Sequence, residues 1–237
     1  MRDKKKNENY FAAFIERCEN EIKMFQDWIN DGEVAPERVP AIKRTMYQVK
    51  RNLWLARYSL GEPIDDLLAP YEEMTNDFID NFVPEWYEDS LRLLSLGVLL
   101  DSDIETFKSL VAKIQANGNK DWLCNYIINY RLPEVVYKPY KVLWSKTYMA
   151  LRQITEDSKK KPEDMLKYLT KSWYKSHKDS PWYDRHKKEK DELFDPEHST
   201  YCGYWSFESG AVAKILGFDD SILNDAPYYP YDLVHFN

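Results

Sequence analysis

Four histidines, three cysteines and a few paired acids are the side chains of this 237-residue chain whose types could do chemistry. The histidines are His177, His186, His198 and His235, and the cysteines are Cys18, Cys124 and Cys202. A protein metal site draws three or four ligands from recognisable spacings, and neither HExxH, nor a Cys/His quartet, nor an EF-hand loop occurs. His198 and Cys202 stand at i, i+4, which would put both on one helix face. A metal-dependent hydrolase using His198, His186 and nearby acids is therefore one reading. Glu163, Asp164 and Lys167 resemble the acids and lysine of a nuclease core. On one predicted helix, however, they are spaced as surface ion pairs. Asp65-Asp66 suits compensation of a helix N-terminus, and Asp219-Asp220-Ser221 suits a turn and cap. No GxSxG, P-loop or GxGxxG is present. The expectation is a chain without catalytic residues, cofactor or metal, whose chemistry is binding.

The densest constellation lies near the end. Tyr201, Tyr204, Trp205, Phe207 and Glu208 sit beside the small residues Ser209, Gly210, Ala211 and Ala213. Pro227-Tyr228-Tyr229-Pro230-Tyr231-Asp232 follows, where prolines preset extended backbone and tyrosines bury area while keeping a hydroxyl available. These aromatics either pin the tail to the body or serve as interface anchors. Glu208 either accepts from tyrosine hydroxyls or meets a cation of a partner. The residues assigned to partner binding are Glu208, Asp219, Asp220, Asp225, Tyr228, Tyr229 and Asp232.

Charge points to the kind of partner. Forty acids against 33 bases leave a net charge of −7, which disfavours direct binding of nucleic acid or an anionic membrane. Ten acids and no Lys or Arg lie between Glu62 and Asp89, and seven acids with one base, Lys214, follow from Asp195. Each run is either a solvated face or an acidic patch that attracts a basic protein and speeds its association.

Helices must position these groups. Tyr10, Phe11, Phe14, Ile15, Cys18, Ile22, Phe25 and Trp28 recur every three or four residues, predicting a helix that ends near Asn30-Asp31-Gly32. Val39, Ile42, Met46, Val49, Leu53 and Ala56 predict a second from Glu37 to Leu60, closed by Gly61. A third is expected with Pro63 at its first position and Pro70 interrupting or kinking it. A fourth follows Pro84, and Ser102 with Glu105 suggests a capping box for a fifth. Further helices are expected at 121–130, 139–154, 162–176 and 201–216. Residues 177–200 read as a long loop or frayed helix, and 219–237 as an irregular tail. Only 7 glycines occur and no strand pattern is seen. The fold class expected is all-α: an antiparallel helical bundle or stacked helical hairpins with an irregular C-terminal tail. Its domains are residues 1–117 and 118–237, the second carrying the tyrosine- and proline-rich tail.

No stretch approaches 18 apolar residues, and the charged start lacks an apolar export segment. The odd, scattered cysteines fit reduced thiols, so a cytoplasmic location is expected.

Gly203-Tyr204-Trp205-Ser206-Phe207-Glu208, Gly217-Phe218-Asp219-Asp220-Ser221 and Pro227-Tyr228-Tyr229-Pro230-Tyr231-Asp232-Leu233-Val234 together resemble the C-terminal region of PoNi-type immunity proteins. Those proteins protect bacteria against PoNe polymorphic nuclease effectors. Trp173-Tyr174, His177-Lys178, Trp182-Tyr183-Asp184 and His186-Lys187 are similar to that family too, as is Arg57-Tyr58-Ser59-Leu60-Gly61 with Ile64 and Leu67. The resemblance implies a helical protein that binds and neutralises a cognate DNA-degrading toxin in the cytoplasm. That toxin would arrive by contact-dependent or type VI secretion. The resemblance supplies no catalytic residue. A helical scaffold with another protein partner is the remaining alternative.

Overall fold

A computed structural model describes residues 1–84, 86–118, 120–135, 141–188, 195 and 198–236. Among them the ordered elements are helices, with no strand, so the fold is all-α. The chain divides into two compact units. One comprises Met1–Phe82 with Asp184–Gly203, and the other Val83–Tyr183 with Tyr204–Asn237. The expected division after residue 117 falls within the second unit.

In the first unit, α1 (Glu8–Asn30) starts where the Asn7 side chain accepts from Tyr10 N at 2.9 Å. Tyr10, Phe11, Phe14 and Cys18 are its buried positions. A 3-10 turn at Pro36–Arg38 leads into α2 (Val39–Leu60). Gly61 ends α2 at φ 108, a left-handed backbone that suits glycine, and a Cβ there would lie 3.0 Å from Met1 N. The hairpin is antiparallel, since Arg2, just before α1, donates to Tyr58 O near the end of α2 at 2.9 Å, and Arg57 pairs with Glu19 of α1 at 2.5 Å. α3 (Asp65–Asp80) then runs back along α2. Trp54 Nε1 donates to Leu67 O at 3.0 Å, and Lys50 bonds Glu73 and Asp77 at 2.5 and 2.6 Å.

One expectation for α3 is corrected: it begins at Asp65, because Pro63 lies in the preceding turn with its carbonyl accepting from Asp66 N. Pro70 does not interrupt the helix, which runs on to Asp80, and its missing N–H removes one ladder hydrogen bond.

The returning segment near residue 200 completes this unit. Tyr201 OH donates to Asp3 at 2.5 Å, Tyr10 OH to Tyr201 O at 2.8 Å, and Ser59 Oγ to Cys202 O at 2.9 Å. The short α10 (Arg185–Lys188) belongs here too.

In the second unit, α4 (Tyr87–Leu99) is the central helix, with Leu91, Leu93, Leu94, Leu96, Val98 and Leu99 all buried. A helix apolar on every side must be surrounded. α5 (Ile104–Ala116), α6 (Trp122–Arg131), α7 (Ser145–Glu156), α8 (Lys161–Lys167), α9 (Tyr174–Ser176), α11 (Phe207–Leu216) and α12 (Tyr231–Val234) complete it. Asp103, not Ser102, caps α5, accepting from Thr106 N at 2.8 Å. Ser102 is instead turned inward, where it accepts from Arg131 at 3.0 Å. The expected helix 162–176 is seen as one uninterrupted helical run from α8 to α9, whose middle, Tyr168–Trp173, is π-helical. The expected helix 139–154 starts later, at Ser145: 139 and 140 lie outside the described residues, and 141–144 are non-helical, with Lys141 O and Leu143 N bonded to Trp122 and Asp121. Much of the expected loop 177–200 also lies outside the described residues. The tail carries a 3-10 turn at Ser221–Leu223 and the one-turn helix α12.

Candidate functional site

Of the aromatic and acidic residues singled out in the sequence, those from Tyr204 onward lie in the second unit, while Tyr201 belongs to the first. They do not lie on one helix from Tyr201 to Leu216. Residues 201–206 are non-helical and α11 begins at Phe207, because Gly203 adopts φ 111. Ser206 is the pivot. Its N–H donates to Tyr228 O at 2.8 Å, which draws the tail back over α11. Its hydroxyl lies 2.8 Å from Glu208 Oε1 and 2.6 Å from Ser209 Oγ.

Glu208 is 7% exposed and accepts from Trp173 Nε1 at 2.6 Å as well as from Ser206. The π-helical turn delivers that indole, since an extra residue per turn shifts the facing of everything after it. Trp173 stacks with Trp182 at 5.7 Å, and Tyr228 lies 4.8 Å from Trp173 and 5.5 Å from Tyr174 between ring centres. Tyr174 also stacks on Tyr183 at 4.6 Å, and Tyr204 lies 5.2 Å from Trp182. His177 is buried, with Nδ1 donating to Trp173 O at 2.8 Å and Nε2 facing Tyr148 OH at 3.3 Å. Burial holds the Tyr148 hydroxyl well above its ordinary pKa, with the Glu208 charge adding to the effect. Trp182 Nε1 and Ser180 Oγ both donate to Glu88, at 3.3 and 2.9 Å. Tyr228 holds φ +68, a conformation costing a non-glycine residue about 1 kcal/mol, which its ring contacts offset.

A second anchor follows. Asp220 is buried and accepts from Tyr229 OH at 2.7 Å, while His235 Nε2 approaches it at 3.2 Å. Burial first, then the Asp220 carboxylate, raises the Tyr229 pKa. Gly210 lets this part of the tail lie against α11. A Cβ there would sit 2.7 Å from Pro230 Cγ. Lys214 Nζ donates to Leu99 O at 2.9 Å and Phe236 O at 2.8 Å, and burial lowers its pKa.

The seven residues assigned to partner binding therefore separate. Glu208, Asp220 and Tyr229 are buried and spend their polar atoms inside the unit, so of the alternatives left open for Glu208 and the tail tyrosines, Glu208 and Tyr229 take the internal one, although Glu208 accepts from Trp173 and Ser206 rather than from a tyrosine. Asp219 and Asp225 are exposed, and Tyr228 and Asp232 are partly so. Asp219 Oδ1 accepts from Ser221 N at 3.0 Å, and that bond lowers its pKa. The acids of 62–89 are also partly spent. Glu73 and Asp77 hold Lys50, Glu62 lies 3.7 Å from Arg57, and Asp89 pairs with Arg92. Asp65, Asp66 and Asp80 are exposed.

The hydrolase constellation does not assemble as expected. His198 and Cys202 lie outside any helix, and His198 bonds Asp195 at 2.8 Å. Among the described residues, no group of three or more His, Cys, Asp or Glu could hold a metal ion. No helix among them is long and apolar enough to cross a membrane. Sequence reasoning missed the role of Trp173, His177 and Trp182 as the receiving side of the clasp. Their signal was the aromatic density of 173–183, hidden within a stretch read partly as loop.

Residues 2–112 match the family "PoNe immunity protein (PoNi), N-terminal", and residues 119–233 match "PoNe immunity proteins (PoNi), C-terminal". The comparison with curated proteins finds no match. Protein PA2201 from Pseudomonas aeruginosa has a crystal structure similar to this fold. The TM-score is 0.72 at 19% identity, over 95% of this chain and 87% of that one. The two family matches run in order and take in both the helical hairpin of the first unit and the aromatic clasp of the second. The chain belongs to the PoNi family of PoNe immunity proteins.

Proposed function

We propose that this chain neutralises a PoNe-type nuclease toxin in the cytoplasm by binding it as a stoichiometric partner, without catalysing a reaction. The two family matches across residues 2–233 carry this reading. The internal chemistry supports it. The most unusual polar groups, Glu208, His177 and Asp220, are consumed in holding the tail to the body. A nuclease must present a basic face to phosphate, and a chain of net charge −7 is suited to cover one. Within the tail, the exposed Asp219 and Asp225 and the partly exposed Tyr228 and Asp232 are the residues offered to the toxin.

The test is titration of a PoNe-family toxin from the same genome with purified chain, reading DNA cleavage. Inhibition that completes near one equivalent supports the proposal, as does survival on co-expression. Inhibition far below one equivalent would indicate an enzyme acting on the toxin, and full cleavage at excess chain would end the immunity reading.

A further inference from the structure

We infer that the free end of the α1–α2 hairpin is a toxin-gripping surface, and that its occupant is a basic face of the nuclease. This rests on the immunity reading above. Between Cys18 of α1 and Met46 of α2 no residue is buried. Yet the apolar stripe of α1 continues through Ile22, Phe25, Trp28 and Ile29, and α2 opens with the apolar Val39 and Ile42. The reason is geometric. Two helices alone cannot enclose a stripe, and α3 covers α2 only as far as the Tyr47–Phe78 ring contact at 5.5 Å before ending at Asp80. Beyond Cys18, α1 continues for about 18 Å at 1.5 Å per residue.

The exposed material has the composition of an interface centre. Trp28 and Met24 are each 38% exposed, and the Trp28 ring meets Phe25 edge-on at 5.6 Å. Tryptophan and methionine are enriched where partners bury surface, and tryptophan most often carries the binding energy. Where the arm meets α3, a groove of about 260 Å³ is lined by Ile22, Leu53, Trp54 and Pro70, with Lys23, Lys50 and Arg57 beside Glu19 and Glu73, so it lies outside the acidic rim and suits an uncharged partner side chain. It is large enough to receive a partner side chain.

Charge identifies the occupant. From Met24 to Glu37 there are four acids, Asp27, Asp31, Glu33 and Glu37, and no Lys or Arg. All four are exposed. Among the described residues none of them is neutralised by an ion pair, unlike Glu73, Asp77 and Asp89 elsewhere in the chain. An aromatic anchor rimmed by uncompensated carboxylates suits a surface rich in Lys and Arg. A DNA-cleaving enzyme carries such a surface.

The experiment measures binding kinetics of the full chain with a catalytically inactivated PoNe-family toxin domain from the same genome. Trp28→Ala is expected to raise the dissociation rate about 30-fold or more. Asp27→Lys with Asp31→Lys and Glu33→Lys is expected to lower the association rate about 10-fold at low salt and to flatten its salt dependence. Both variants should stay folded and melt within a few degrees of the wild type, because the three acids are exposed and Trp28 is 38% exposed. Wild-type rate constants in both variants, with the wild type binding tightly, would overturn the arm assignment and leave the immunity reading intact. A wild type that does not bind would overturn both. A dimer of the chain that Trp28→Ala dissolves would make a second copy the occupant and overturn the inference.

Discussion

Replacing Glu208 separates a structural from an interfacial acid in one measurement. Its Oε1 takes hydrogen bonds from Trp173 Nε1 at 2.6 Å and Ser206 Oγ at 2.8 Å, at a site 7% exposed. Glu208→Leu leaves the Trp173 indole buried without an acceptor, while the Ser206 hydroxyl can turn to Ser209 Oγ at 2.6 Å. The orphaned donor, bonded to a carboxylate in the wild type, costs about 2–3 kcal/mol, and the added apolar burial offsets about 1 kcal/mol. The balance is about 1–2 kcal/mol, or a melting temperature lower by about 2–8 °C for a chain of this size. Glu208→Gln retains an acceptor oxygen at nearly the same volume and should cost about 1 kcal/mol. Thermal unfolding followed by tryptophan fluorescence reads the clasp directly, since Trp173 and Trp182 sit within it. Toxin affinity measured well below the transition should stay near wild type for both variants. A Glu208→Leu protein that melts like the wild type yet fails to bind toxin would refute the reasoning, because Glu208 would then be spending its carboxylate outside the fold.

Other perturbations test the remaining arguments. Asp121 is buried, caps α6 through Leu123 N and Cys124 N at 2.9 and 3.0 Å, and accepts from Leu143 N at 2.8 Å. Asp121→Ala should cost about 2–4 kcal/mol in chemical denaturation, more than an ordinary cap. Gly210→Ala drives a methyl to 2.7 Å from Pro230 Cγ and should cost about 1–3 kcal/mol, with proteolysis of the tail rising in parallel. Burial pushes the Cys18 thiol up to about 12, so it should resist alkylation at pH 8 in the native protein and react on unfolding. The pKa of His186 is lowered from its ordinary 6.5, first by burial and then by Lys5. Its folded state therefore disfavours the proton, so its contribution is intact above pH 6.5 and falls as pH drops through and below that value. His186→Gln should flatten the acid side of the stability profile.

What the sequence determined by itself was the helical nature of the chain and the places of its long elements. The stripe from Tyr10 to Trp28, the glycine stop at Gly61 and the apolar face of α5 are local periodicities, and a 3.6-residue repeat needs no knowledge of distant contacts. The motif residues around Tyr204 and Tyr228 also marked the family. Tertiary structure alone decided which of them face inward. The roles of Glu208 and Asp220 stayed open in the sequence because it cannot show Trp173, arriving from 35 residues away, or Tyr229 folding back onto the acid. Residues 198–203 join the first unit for the same reason: Tyr201 meets Asp3 across 198 positions of chain. The tip of the first hairpin is the converse case. Trp28 has the spacing of a core residue, and it stays exposed because α3 ends before reaching it. Periodicity states that a face is apolar, while only packing states whether the protein itself covers that face.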